Sequence, residues 1–437
     1  MTEQRKANQY TYLNGILILV GLYYIYPLAA AIQNILFGVI FFKSVYIKFA
    51  IVLCLILFLA LHWRSLHWRS MQWRLDWVGG AFLALIGVSL LSFAFMFRYD
   101  YSLPYRLFSY NVQMFWIVLL FVLYFCIRLD EKSFTAILNV VAIGIAIFFM
   151  VNFILALFQH LYNSSIIPIR STDGYYRVFS YSMRGKLKAF GFMLSCLDFG
   201  ILAAAALFIS LSQIMRRHRQ WPLWLVIVIC SIIGVYISYT RVAYLIAFFG
   251  IFLVAAVRWY SLMKLLPPLS FAAGLVITLW PRALMTFFDL FFDVDKNPLF
   301  HFRAMLVRHR NWKKMIAELK DGSIMDILFG SGMTDNSRFL EITKSKLIDN
   351  LYLSVTLYNG IIVLSLFIFL YLLIYYRGIK LINDEMDSGG EPHPALVAGF
   401  SLMVVLAGVS FFNNFVPYIY VHMLIPLLYL TVRSDER

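Results

Sequence analysis

The sequence predicts an all-α protein that crosses a membrane many times. Two observations predict it. Hydrophobic residues make up 62% of the 437-residue chain and charged residues only 14%, more apolar surface than a soluble fold can hide. Uncharged runs of about 20 residues recur along it, and each suffices to cross a bilayer as a helix. A membrane β-barrel is excluded, because its strands are short and alternate polar with apolar residues.

About 12 spans are expected. They run over 13–32, 45–61, 77–96, 108–127, 134–158, 189–213, 221–239, 242–257, 265–281, 349–375, 395–412 and 415–432. Gly38–Phe42 either extends the first span or forms a re-entrant piece. Tyr10, Tyr12, Trp77, Tyr99, Trp221, Trp224 and Trp259 stand at span ends, as interfacial anchors do. Arg5 and Lys6 precede the first run without a small-residue cleavage site, so that run reads as a retained span. Cys54, Cys126, Cys196 and Cys230 lie inside apolar runs with no metal-ligand spacing. The whole of 1–437 reads as a single integral membrane domain.

Orientation follows from the short loops. With the N-terminus in the cytoplasm, the inside connections hold Arg64, Arg69, Arg74, Arg128, Lys132, Arg216, Arg217, Arg219, Arg258, Lys264, Arg377 and Lys380. The short outside connections hold chiefly Lys43, Arg98, Arg106 and Arg241. Both termini are therefore expected inside.

Two long outer loops depart from this asymmetry. The loop at about 159–188 carries Arg170, Arg177, Arg184, Lys186 and Lys188 against one acid, Asp173. The loop at 282–346 is the longest polar insertion and carries Arg303, Arg308, Arg310, Lys313 and Lys314. Positive charge there does not help insertion. It is either a solvated surface or the seat of an anionic ligand, and Arg suits bidentate phosphate contacts. On a helix beginning near His301, Arg303, Arg310 and Lys314 share one stripe. Phe302, Met305, Leu306, Trp312, Ile316 and Leu319 lie largely opposite. This predicts a helix lying on the membrane surface, apolar side down. Arg308 borders its apolar side near Trp312 and Met315.

No soluble-enzyme motif is present: no phosphate loop, no HExxH, no paired Cys/His set, no G-x-S-x-G. Chemistry must come from charged residues near membrane depth. Arg241 sits at the seam between two apolar runs, where a cation either snorkels to the interface or grips phosphate at a cavity mouth. Asp349 stands where the 282–346 loop re-enters the membrane. It either caps the following helix or takes a proton from an incoming hydroxyl. Asp198, inside Met193–Leu207, is a ligand contact or a structural partner for an Arg.

Several short motifs occur in a set order. Tyr239-Thr240-Arg241 opens a span; Arg308 and Trp312 follow, then Leu328-Phe329-Gly330-Ser331-Gly332, then Asp349-Asn350 with Tyr352, then Asn359-Gly360. This order around one long outer loop resembles the O-antigen ligase/polymerase superfamily, best over about 236–365 and more weakly at Lys188–Gly200. The resemblance implies a GT-C-like glycosyltransferase of the bacterial inner membrane. Such an enzyme moves a glycan from undecaprenyl diphosphate to an acceptor hydroxyl on the outer face, without metal or cofactor. By that likeness Arg241 and Arg308 bind the diphosphate and Asp349 is the base. Arg303, Arg310, Lys314, Asn350, Tyr352, Arg184, Lys188 and Asp198 are expected to line the substrate path. Ligases of the superfamily place a His directly before the Asn, where this chain has Asp349, which favours a Wzy-type polysaccharide polymerase over an O-antigen ligase acting on lipid A-core.

The expected partners are the lipid-linked oligosaccharide, membrane lipids, and a chain-length regulator and flippase of the same pathway, with no nucleic acid. The rival from another class is a secondary transporter of an anionic solute. About 12 spans with both termini inside suits one, but the halves show no matching repeat or paired broken helices.

Overall fold

The computed structural model describes residues 76–95, 97, 115–125, 131–166, 186–193, 195–215, 221–256, 260–279, 311–317, 321–330, 350–410 and 416–433, with scattered positions between 18 and 57. Among the described residues the secondary structure is helical, without a strand. The helices are α1 (Trp77–Phe95), α2 (Phe115–Phe125), α3 (Glu131–Tyr162), α4 (Cys196–Met215), α5 (Trp221–Ile237), α6 (Arg241–Ala256), α7 (Tyr260–Leu279), α8 (Ile324–Phe329), α9 (Leu351–Asp387), α10 (Pro394–Val409) and α11 (Val416–Arg433). A further short helix covers 311–317. Among the described residues, α1, α3, α4 and α9 are long and apolar enough to cross a membrane.

Every expected span from 77–96 onward overlaps a helix; those at 13–32 and 45–61 lie mostly outside the described residues. Two boundaries are corrected. The span expected at 189–213 begins later, at Cys196, because Asn152 and Gln159 hold the backbone of 190–192 in a turn. The helix expected to end at 375 runs on to Asp387. Loss of apolar character marks the edge of the bilayer, whereas Gly389, Gly390 and Pro394 mark the end of the helix.

The chain divides into two compact units, Met1–Arg74 with Phe125–Phe248, and Leu75–Tyr124 with Phe249–Arg437. In the first, α3, α4 and α5 pack on one another. The α3 helix turns Val140, Ile143, Ile147, Ile154, Phe158 and Leu161 outward and buries Leu138, Phe149, Asn152, Ala156 and Gln159. Carboxamides inside and branched aliphatics outside suit a lipid surround and oppose a watery one. From Phe199 to Gln213, every α4 side chain except Leu202 and Leu211 is buried. Its run Ala203–Ala206 lets neighbouring backbones approach.

In the second unit α9 packs against α1, α7, α8 and α11, and α10 against α7 and α11. The α7 helix contains Pro267 and Pro268. Neither has an N–H, so the carbonyls four residues earlier, on Met263 and Lys264, lose their helical partners. Two tyrosines of α9 supply replacements: Tyr375 donates to the Met263 carbonyl at 3.1 Å and Tyr376 to that of Lys264 at 3.0 Å. Tyr352 donates to the Ala407 carbonyl at 2.8 Å, and Tyr371 to that of Met403. Near the start of α1, Asp76 accepts from the Gly79 N–H (2.8 Å), the Tyr124 hydroxyl (2.6 Å) and the Arg377 guanidinium. One carboxylate thus ties the start of α1 to the end of α2 and the far part of α9.

Candidate functional site: a basic end of the first unit and a broken helix in the second

In the first unit, α3 ends, α4 begins, α5 ends and α6 begins at one end of the bundle. Residues 186–193 are held across that end by side chains of α3. Gln159 accepts from the N–H groups of Phe190 (3.1 Å) and Gly191 (2.9 Å), and donates to the carbonyls of Gly191 and Ser165, both at 3.1 Å. Asn152 accepts from the Phe192 N–H at 3.0 Å and donates to the Phe148 carbonyl at 2.8 Å. Asn163 accepts from the Leu187 N–H at 2.6 Å, and the Ala189 N–H reaches the Ile237 carbonyl at 3.0 Å. Leu187, Phe190 and Cys196 form an apolar plug beneath.

This clamped segment presents Lys186, exposed, and Lys188, half-buried. Arg241 is exposed as the first residue of α6. A cation there opposes the helix dipole, by about 0.3–1 kcal/mol for an exposed group, so helix stability does not explain it. The turn before it is set by Ser238 and Thr240, whose hydroxyls lie 2.9 Å apart, and by the Thr240 N–H donating to the Ser238 hydroxyl. Asp198, expected among the ligand contacts, is instead engaged at the start of α4. Ser195 donates to its carboxylate at 2.8 Å and accepts from its N–H at 3.2 Å. That is the arrangement of a helix cap.

In the second unit the Leu328–Gly330 segment crosses α9 where that helix is broken. Gly360 has φ 86° and ψ 167°, outside helical geometry, and Gly330 has φ 81°. A Cβ on Gly330 would collide with the backbone of Tyr358 and Asn359, and one on Gly360 with that of Leu328 and Phe329. Only paired glycines allow both the left-handed angles and the approach. Ser92 of α1 donates to the Phe329 carbonyl at 2.5 Å, and the Phe329 ring stacks on Phe95 at 4.5 Å. A capping box between Ser323 and Asp326 starts α8. Trp312 and Met315 pack against Leu353, Leu357 and Tyr358 of α9. This corrects the surface-helix expectation: the apolar side at 311–317 faces protein, while Lys314 is exposed on the other side.

Asn350 and Tyr352 do not line an open surface. Asn350 is fully buried as the N-cap of α9, accepting from the Leu353 N–H at 3.0 Å. The capping alternative weighed for Asp349 therefore falls to its neighbour. Tyr352 is buried with its hydroxyl on α10. Asp349, Arg303, Arg308, Arg310 and Arg184 lie outside the described residues. Sequence reasoning missed Asn152 and Gln159, and noted Asn359 only as part of the Asn359-Gly360 motif. The first two stand seven apart on one face of an apolar span, a spacing that marks a shared polar partner. Asn359, beside the helix break, is buried, and its side-chain oxygen has no hydrogen-bond partner among the described residues. Compared with known families and curated proteins, the chain matches no family model and no curated sequence.

Proposed function

We propose that this protein is a GT-C-like glycosyltransferase with about 12 spans. It would polymerise undecaprenyl-diphosphate-linked repeat units on the outer face of the bacterial inner membrane. The observation that carries the reading is the basic end of the first unit. Lys186 and Lys188 stand there on a segment fixed by three carboxamides, and Arg241 stands at the start of α6, after the turn that follows α5. Fixed cations at the end of apolar helices suit a diphosphate on a lipid tail. The order of motifs around the outer loop supplies the glycan.

In this reading an acceptor sugar hydroxyl attacks the anomeric carbon of the donor. The bond from that carbon to the diphosphate oxygen breaks, its electron pair leaves on undecaprenyl diphosphate, and the hydroxyl proton passes to Asp349. Arg241 and Arg308 stabilise the charge growing on the leaving group, the contribution expected to be largest. General base help from Asp349 is worth about 10²–10⁴-fold.

The broken α9 helix favours a second reading, because transporters bind solutes at discontinuous helices. Loss of the protein separates the readings. A polymerase mutant keeps single repeat units on their carrier or final acceptor and loses the long-chain ladder. Long chains accumulating on undecaprenyl diphosphate would instead identify a ligase. An unchanged ladder, with loss of uptake or export of an anion, would identify a transporter.

A further inference from the structure

The residue that prefaces Arg241 is held in a conformation its side chain disfavours. Tyr239 has φ 47°, in the left-handed region, two residues past the end of α5. That position after a helix is one that Gly fills without penalty and Asn tolerates; a bulky aromatic there is an outlier. Local bonds hold it. The Tyr239 N–H reaches the Tyr236 carbonyl at 3.1 Å, and the Ser238 and Thr240 hydroxyls close the turn around it. Strain of this kind persists where a side chain is needed in one place.

What stands beside the ring is informative. Tyr239 lies 5.7 Å from the His160 ring and 5.7 Å from the Tyr236 ring, and Tyr244 donates to the Tyr236 carbonyl at 2.9 Å. The His160 Nδ1 is buried with no hydrogen-bond partner among the described residues. An aromatic cluster therefore adjoins the cations of the basic end. An interfacial anchor would not explain it, because a belt tyrosine works at any backbone angle and one residue along would do.

We propose that the Tyr239 ring, with His160 and Tyr236 beside it, is a platform for the apolar face of the pyranose attached to the diphosphate, making Tyr239 a specificity-determining residue. The proposal rests on the lipid-linked glycan reading above. Arg241, two residues on, takes the phosphates, and the ring takes the sugar joined to them. A pyranose presents axial C–H groups on one face, which pack on an aromatic ring as an apolar body with polar edges left to water.

The test measures binding of two probes to the full-length protein in lipid nanodiscs: undecaprenyl diphosphate, and undecaprenyl diphosphate carrying one N-acetylglucosamine. Wild type should bind the glycosylated probe more tightly. Tyr239→Gly relieves the left-handed angle, so the protein should melt no lower than wild type and bind the bare lipid equally well. It should lose about fivefold to tenfold in affinity for the glycosylated probe, about 1–1.4 kcal/mol, the scale of an aromatic contact. Tyr239→Phe should retain the preference and Tyr239→Leu lose it, which decides the matter if the glycine variant is poorly folded. Equal binding of both probes by wild type, or an unchanged preference in Tyr239→Gly or Tyr239→Leu, overturns the platform. Arg241→Lys should weaken both probes alike. If it weakens neither, the diphosphate reading fails, while the role of Tyr239 is still decided by its own pair of affinities.

Discussion

At the scale of single residues, Arg241 and Asn350 show two fates for a polar group at a helix start. Asn350 is buried and satisfied by the Leu353 N–H; its work is capping. Asn350→Ala should lower stability by about 0.5–2 kcal/mol, and Asn350→Asp should recover most of it, as read by thermal melting in detergent. Arg241 is exposed on the wrong end of a helix dipole, so its replacement should leave the melting temperature within a few degrees. In the proposed reaction Arg241→Ala should slow polymerisation about 10²–10³-fold. Arg241→Lys should restore only part, because an ammonium lacks the planar fork. With the cap assigned to Asn350, Asp349→Asn becomes a cleaner probe of proton transfer. It should block turnover while leaving folding intact; normal polymer output from it would remove Asp349 from the chemistry.

At the scale of elements, hydrogen bonds from one helix repair or hold another. Tyr375→Phe removes the donor that serves the Met263 carbonyl freed by Pro267. An unpaired buried carbonyl costs about 1–3 kcal/mol, so the variant should melt lower. Tyr375→Phe combined with Pro267→Ala, which returns an N–H to that carbonyl, should recover the loss. The same logic applies to Gln159. Gln159→Leu strips acceptors from the Phe190 and Gly191 N–H groups and should free the segment that carries Lys186 and Lys188. Limited trypsin treatment should then cut after those lysines faster than in wild type. Equal cutting would show that the apolar plug of Leu187 and Phe190 holds the segment unaided.

At the scale of the whole molecule, charge asymmetry and helix order make one testable statement about sidedness. With the N-terminus inside, 282–346 is outside and the turn after α9 is inside. A cysteine placed at Asn336 should react with a membrane-impermeant thiol reagent in intact cells, and one at Ser388 should not. The reverse pattern would invert the topology and move the basic end of the first unit to the cytoplasm.

Much of the helical layout was legible in the sequence, because it depends on summed properties. The apolar runs that became α1, α3, α4 and α9 are long enough that no single residue decides them. The loop motif at Leu328–Gly332 and the pair Asn359-Gly360 stood out as short patterns, but their meaning did not. That Gly330 and Gly360 are needed for each other depends on two segments about 30 residues apart in sequence meeting backbone to backbone. Periodicity cannot report such a meeting. For the same reason Asp198, Asn350 and Tyr352 read as ligand contacts in the sequence. A polar residue near membrane depth must have a partner, but only the fold says whether that partner is a neighbouring hydroxyl, a backbone N–H or a carbonyl of another helix. The sequence by itself determined that this is a helical, membrane-embedded chain with excess positive charge in two long loops, since burial in lipid constrains every residue of a span alike. Tertiary structure alone decided that Asn152, Gln159 and Tyr375 hold the backbone of other segments, and that Arg241 and Lys186 are exposed and Lys188 half-buried at one end of the first unit. Hydrogen-bond partners are set by three-dimensional approach, which composition and spacing do not encode.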